Sequence, residues 1–432
     1  MPRLLLRQEA VAMKSESHSA APRRVAVSSL STKGIANRSR TYALVFAATF
    51  AAVAAVHPAA SQTYSVLYTF TGAAGDGAYP YATLVVDHAG NIYGTTYGGG
   101  TYGYGTVFKL DTSGNETVLY TFTGAGDGGK PEAGLWMDSA GDLYGTTEYG
   151  GLFNFGTVFK LDPTGAETVL HSFAGGGTDG EYPVAGLVPH GGNLYGTTYF
   201  GGARYVGTVF EMSKAGKEKI VRSFRQGPGD GQYPYGGVTL DAAGNAYGTT
   251  FDGGAFDLGI VFKVDATGKE TLLHSFSGPP DGGAPFSGLV QDETGNIYGA
   301  TDRGGDASCY SSLGCGVVFK LDSTGTETVL HTFTGFPNDG EFPGTGLARD
   351  SSGNLYGTTG EGGSSNNGTV FEISSSGTET VLHSFAGGTD GKLPSAALAL
   401  DKAGNLYGTT YWGGDTLCGD FTGCGVIFKL TP

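Results

Sequence analysis

Beyond residue 62 the chain is a succession of short apolar segments, rich in β-branched and aromatic residues, each bounded by Gly- and Asp-containing turns. Between Ala133 and Phe173 the segments AGLWMD, DLYGTTEY, GTVFKLD and ETVLHSF follow one another. Apolar runs this short, closed at both ends by turn residues, predict strands rather than helices. The first two segments are joined by Asp138 to Gly141 and the last two by Asp162 to Gly165. Asp opening a four-residue turn and Gly closing it is the chemistry of a type I hairpin turn.

The same unit recurs. Tyr-Gly-Thr-Thr, or a near copy, begins at Tyr93, Tyr144, Tyr195, Tyr247, Tyr298, Tyr356 and Tyr407, with steps of 51, 51, 52, 51, 58 and 51 residues. Asp-Gly-x-x-Pro also occurs seven times, opening at Asp76, Asp127, Asp179, Asp230, Asp281, Asp339 and Asp390. Two series of Phe keep the same period: Phe108, Phe159, Phe210, Phe262, Phe319, Phe371 and Phe428, and Phe70, Phe122, Phe173, Phe224, Phe276, Phe333 and Phe385. Seven units of four antiparallel strands predict an all-β, seven-bladed β-propeller over residues 62–432. Closure is written in the ends. The opening TYSVLYTF (residues 63–70) matches the fourth strand of a unit, and the final GVIFKLTP matches the third. Inserting strand 63–70 into the last blade completes the ring and pairs two edges that would otherwise be exposed.

The full unit, N-[LI]-Y-G-T-T, G-T-V-F-K-L-D, G-x-E-T-V-L-H-S-F and D-G-x-x-P, resembles the GloVer tandem repeat of bacterial exported proteins over residues 63–432. The resemblance brings no established activity or catalytic residue. Its members use varied C-terminal anchors, whereas this chain ends on its last propeller strand. That departure implies a soluble or non-covalently attached product.

Composition changes at the N-terminus. Eight of the 25 Lys and Arg but only two of the 40 acids precede residue 62, and the apolar stretch Thr41–Val56 follows that basic region. The stretch is short for a membrane span, and Ala59-Ala60-Ser61 offers a small-residue cleavage site, so residues 1–61 read as a secretory signal with a long basic region. Translation from Met13, twin-arginine export through Arg23-Arg24 and an uncleaved anchor are the competing readings. Residues 62–432 then carry a formal charge of −21, which repels nucleic acids and anionic lipids. A secreted, periplasmic or extracellular monomer without a membrane span is expected. The four cysteines form two close pairs in equivalent loop insertions, Cys309 with Cys315 and Cys418 with Cys424. Export makes two local disulfides the expected reading, against a shared zinc site that would have to bridge two separated blades.

Strand alternation places the Asp-Gly-x-x-Pro segments, the Gly-Gly loops and both cysteine insertions on one face, where binding residues on a rigid scaffold are expected. Immediately after Tyr-Gly-Thr-Thr the units diverge, supplying Tyr97, Tyr149, Tyr199, Phe200, Phe251, Tyr411 and Trp412 as candidate ligand contacts. Further along these loops lie Tyr102, Tyr104, Phe153, Phe155, Tyr205, Phe256, Tyr310 and Phe421. Such rings stack on sugars or pack on neighbouring loops, and carboxylates accept sugar hydroxyls. The seven Asp of the Asp-Gly-x-x-Pro motif could hold calcium, but seven identical turns explain seven identical Asp more simply. His171, His274, His331 and His383 share one repeated position and read as packing or surface residues.

Two classes of function follow. One is a non-catalytic binding module for an extracellular glycan or protein, needing no cofactor, with calcium as an optional ion. The other is a glycan lyase or glycosidase using Glu148, Asp252, Asp302 and Glu361 as acid and base with Arg303 stabilising charge. No nucleophile elbow, His-Glu-x-x-His or phosphate loop is present, and the balance is against catalysis. A purely structural or adhesive surface role remains beside the first.

Overall fold

The computed structural model describes residues 62–415, 417–418 and 422–431. The expected signal segment and Phe421 lie outside them. Among the described residues there is no α-helix, and no helix is long and apolar enough to cross a membrane.

The strands form a seven-bladed β-propeller. Blade one contains Val85–Val86, Ile92–Thr96, Thr106–Leu110 and Glu116–Thr121, hydrogen-bonded in chain order. The same order holds in the five blades that follow. The first strand of each blade is only two or three residues long, shorter than its apolar segment suggests. Blade seven is closed by the strand expected to close it. Thr63–Thr69 pairs antiparallel with Val426–Thr431, from Thr63 opposite Thr431 to Thr69 opposite Val426.

Each residue of the repeated tetrapeptide has a separate task. The Tyr93 hydroxyl donates to Asp87 of the preceding hairpin turn at 3.2 Å, which fixes the end of the hairpin. Gly94 faces the ring of Phe108; a Cβ there would come within 2.6 Å of Phe108 and 2.8 Å of Leu84. Thr95 reaches into the next blade and donates to the Ala133 carbonyl at 3.2 Å. Thr96 shares a 2.8 Å hydrogen bond with the Thr106 hydroxyl on the adjacent strand. The tetrapeptide thus ties a turn, a core contact, a blade seam and a strand pair at once.

Between blades, the buried Phe ending each fourth strand meets the third-strand Phe of the next blade edge to face. Phe122–Phe159 and Phe224–Phe262 have centroids 5.1 and 5.0 Å apart. The contacts that close the ring, Phe385–Phe428 and Phe70–Phe108, are both 5.3 Å. Because these distances match, the closing seams are packed as tightly as the internal ones.

Both cysteine pairs are disulfides, Cys309–Cys315 and Cys418–Cys424, with Cα atoms 5.6 and 5.5 Å apart. Each staples the loop between the second and third strands of its blade.

Candidate functional site

The connector between blades builds the loop face. In Asp-Gly-x-x-Pro the Asp ties the turn to the outermost strand. Asp179, for example, accepts the N–H groups of Ala174 and Gly180, both at 2.7 Å, and faces His171 Nε2. Asp76 likewise accepts Thr71 N–H at 2.8 Å and Gly77 N–H at 2.6 Å. Asp127, Asp230, Asp281, Asp339 and Asp390 each accept a backbone N–H from the end of the preceding strand. These carboxylates sit against the outer strands, one at each blade seam.

The residue before each Pro then takes a left-handed conformation: Tyr79, Lys130, Tyr182, Tyr233, Ala284, Phe342 and Leu393 have φ between 52° and 60°. A non-glycine residue rarely adopts that conformation unless its surroundings hold it. Here Tyr79 donates its N–H to the Cys424 carbonyl at 2.8 Å and accepts the Tyr97 N–H at 3.0 Å. Lys130 makes the same pair of bonds, to the Tyr104 carbonyl and from the Glu148 N–H. The strained residue latches the previous blade's loop to its own and turns the chain toward the axis.

Two sets of side chains are brought to the channel mouth by this turn. One is the residue after Pro: Tyr81, Glu132, Val184, Tyr235, Phe286, Gly344 and Ser395, one from each blade connector, line an open cavity of about 130 Å³. The other is the residue after Tyr-Gly-Thr-Thr, which packs beside the first set. Tyr411 lies edge-on to Tyr81 at 6.0 Å, Tyr199 to Tyr235 at 5.8 Å, and Phe251 tilts on Phe286 at 4.5 Å. From blade four, the Tyr235 hydroxyl donates a 2.9 Å hydrogen bond to Glu132 of the blade-two connector.

The mouth is electrostatically unusual. Burial, and then the charge of Glu132, raises the Glu148 carboxyl to about 7, while Tyr97 donates its hydroxyl to Glu148 at 3.3 Å. Burial also raises Glu132, against the hydrogen bond from Tyr235. Asp302 is raised to about 6 by burial, with Arg303 opposing and Glu361 adding to the shift. The Lys130 ammonium stands 4.2 Å over the Tyr97 ring. Carboxyls raised toward neutrality can both donate and accept hydrogen bonds, and they lie beside the half-buried phenol rings of Tyr81, Tyr235 and Tyr411.

The sequence candidates divide by the two-residue alternation of a strand. Tyr97, Glu148, Tyr199, Phe251, Asp302 and Tyr411 belong to the mouth set. Their chain neighbours alternate away: Phe200 packs on Tyr182 and Tyr233, and Trp412 lies under the Lys392 ammonium. Tyr149 packs edge-on to Tyr182, with its hydroxyl supporting Glu148. Asp252 and Glu361 pair through their backbones with Gln232 and Glu341 on the short outer ladders. Arg303 stands beside Asp302, so these two and Glu361 form one neighbourhood and Glu148 with Glu132 another. Sequence reasoning missed Tyr81, Glu132, Tyr235 and Phe286. A signal was there, because the residue after the invariant Pro varies widely from repeat to repeat, as Tyr, Glu, Val, Tyr, Phe, Gly and Ser, while the position after it stays small or hydroxylic.

No curated protein sequence matches the chain significantly. Two solved structures from B. thetaiotaomicron share its fold. One is an extracellular domain assigned to a one-component system, 13% identical with a TM-score of 0.53, covering 85% of this chain and 40% of its own. The other, assigned to a hybrid two-component system, is 14% identical with a TM-score of 0.50 and covers 86% of this chain and 41% of its own. This chain thus spans about two fifths of each, and at such identities the likeness is one of fold. Its sequence matches the Gloeobacter/Verrucomicrobia repeat over residues 47–188, 175–313 and 309–432, and the chain belongs to that repeat family.

Proposed function

We propose that this protein is an exported binding module that holds an uncharged extracellular glycan across the mouth of its channel. The observation that carries the reading is the convergence of Tyr81, Tyr97, Tyr235 and Tyr411 with Glu132 and Glu148, residues contributed by different blades. Aromatic faces beside hydroxyl-accepting carboxyls suit the apolar faces and equatorial hydroxyls of a sugar. The cavity ringed by these residues, about 130 Å³, is below the few hundred Å³ of a small-molecule pocket, so the ligand lies over it rather than inside. A strongly acidic surface disfavours anionic polymers. The two B. thetaiotaomicron neighbours are extracellular domains of proteins described as one-component and hybrid two-component systems, which supports an extracellular setting. No cofactor is required in this reading, and calcium enters only as an ion to be tested.

The experiment is a broad glycan array probed with the full chain, its disulfides formed, with and without calcium. Reproducible binding to one sugar family supports the reading. A blank array moves it to a protein partner or a structural role. The raised Glu148 carboxyl beside Glu132 also gives a specific footing to hydrolysis, and release of reducing ends from any bound glycan would turn the module into an enzyme.

A further inference from the structure

Every blade seam is tied at the rim by the same three positions. They are the fifth residue of one outer strand, the connector Asp that follows it, and the first residue of the next blade's outer strand; in the closing strand Thr63–Thr69 the counterparts are Tyr68 and Tyr64. At three seams these are His171, Asp179 and Glu218; His274, Asp281 and Glu327; and His331, Asp339 and Glu379. In each set, one ligand atom from every residue lies within 4.8 Å of the others. The imidazole Nε2 stands 3.3, 3.2 and 3.3 Å from the Asp oxygen. Backbone N–H groups of Ala174, Ser277 and Thr334 hold the three Asp carboxylates in place. Oε1 of Glu218, Glu327 and Glu379 is buried and has no hydrogen-bond partner. The imidazoles remain 20% exposed, which leaves a path for an ion.

The other seams show what the position accepts. Between blades three and four, Arg222 replaces His, and its Nη2 lies 2.5 Å from both Asp230 and Glu270. A built-in cation therefore draws the two carboxylates onto one point. Two seams carry Tyr68 or Tyr120 instead, so they lack a nitrogen ligand, although Oε1 of Glu116 and Glu167 is unpartnered there too. At the closing seam His383 and Asp390 are present, but Tyr64 stands where the Glu would be and stacks on the imidazole.

We propose that the three His-Asp-Glu seams bind divalent transition-metal ions of the zinc class. One imidazole nitrogen and two carboxylate oxygens leave a coordination position for water. Imidazole selects zinc, nickel or copper over calcium and magnesium, which take oxygen ligands. Each ion joins two blades, so occupancy stabilises the ring.

The test is isothermal titration of zinc chloride into the full chain after removal of metal with a chelator, with thermal unfolding followed in parallel. Three ions per chain are expected, at affinities of about 10 µM or tighter, displaced by chelator but not by excess calcium, with a raised unfolding temperature. His171→Tyr places at its seam the side chain the fold already uses at two others, so the variant should fold and bind two ions. His171→Tyr, His274→Tyr and His331→Tyr together should bind none of the three, whereas His383→Tyr should leave three. Glu218→Gln gives a second route to the loss of one ion. No uptake by the unaltered chain at about 100 µM zinc, or a stoichiometry unchanged by the triple substitution, would overturn the proposal.

Discussion

Tyr64 stacks face to face on His383, with ring centroids 3.8 Å apart and planes within 1° of parallel. Its hydroxyl donates a 2.6 Å hydrogen bond to the carbonyl of Asp390, 326 residues away in the chain. The first strand thus closes the ring with side chains as well as with its backbone ladder. Tyr64→Ala removes the stack, the hydrogen bond and the contact with Phe428. We expect a loss of roughly 2–3 kcal/mol in chemical denaturation, with unfolding starting at the closing blade. A change under about 0.5 kcal/mol would mean that the backbone pairing alone holds the seam.

Glycine in the repeated tetrapeptide is a packing requirement. A Cβ on Gly145 would lie 2.7 Å from Phe159 and 2.9 Å from Leu135, both core residues. Gly145→Ala should therefore destabilise by about 1–3 kcal/mol through overpacking. Gly126, where an added methyl group would meet nothing within 4 Å, is the control, and Gly126→Ala should be neutral within about 0.5 kcal/mol. Equal effects at the two sites would contradict the packing argument.

Stability should fall as pH rises through neutrality in metal-free buffer. Burial raises Glu116 and Glu167 to about 7, and the charges of Asp76 and Asp127 add to it; Tyr68 and Tyr120 complete their surroundings. A folded-state pKa above the unfolded value means that the native state binds protons more tightly. That stabilisation is complete below about 4.3 and is lost as the pH approaches 7. The turn residues Asp87, Asp241 and Asp401 work the other way. Against the cost of burial, hydrogen bonds from Asn91, Asn245 and Asn405 hold them low, and their contribution disappears in stronger acid. Calorimetry should place the highest Tm at about pH 4–5, with a lower Tm at about pH 8. Glu116→Gln with Glu167→Gln should shallow the decline. A Tm that rises between about pH 5 and 8 would contradict the assignment.

The scaffold was legible because each structural task repeats. Tyr93, Gly94, Thr95 and Thr96 do the same work in blade one as their counterparts elsewhere, and seven copies reveal the period. Closure was legible because Thr63–Thr69 copies a fourth strand. The mouth was only half legible. Tyr97, Glu148 and Tyr411 stood out by diverging after a fixed tetrapeptide, but nothing in the sequence separates them from Phe200 or Trp412. That separation comes from the left-handed residue before Pro, which sets which way the ladder alternates. Glu132 and Tyr235 lie 103 residues apart, and their contact depends on ring curvature. The His-Asp-Glu seams were hidden for a similar reason. His171 and Asp179 are close in sequence, but Glu218 reaches them only because one outer strand lies across the next.

If the mouth, rather than the loop rim, holds the ligand, substitutions in the two places must differ in effect. The most direct test is the glycan array repeated with Tyr97→Ala plus Tyr411→Ala, and separately with Phe200→Ala plus Trp412→Ala. The first pair should weaken binding by about tenfold or more, while the second should change it by less than about threefold. Full binding by the first pair, or a greater loss from the second, would place the ligand elsewhere and contradict the mouth as its site.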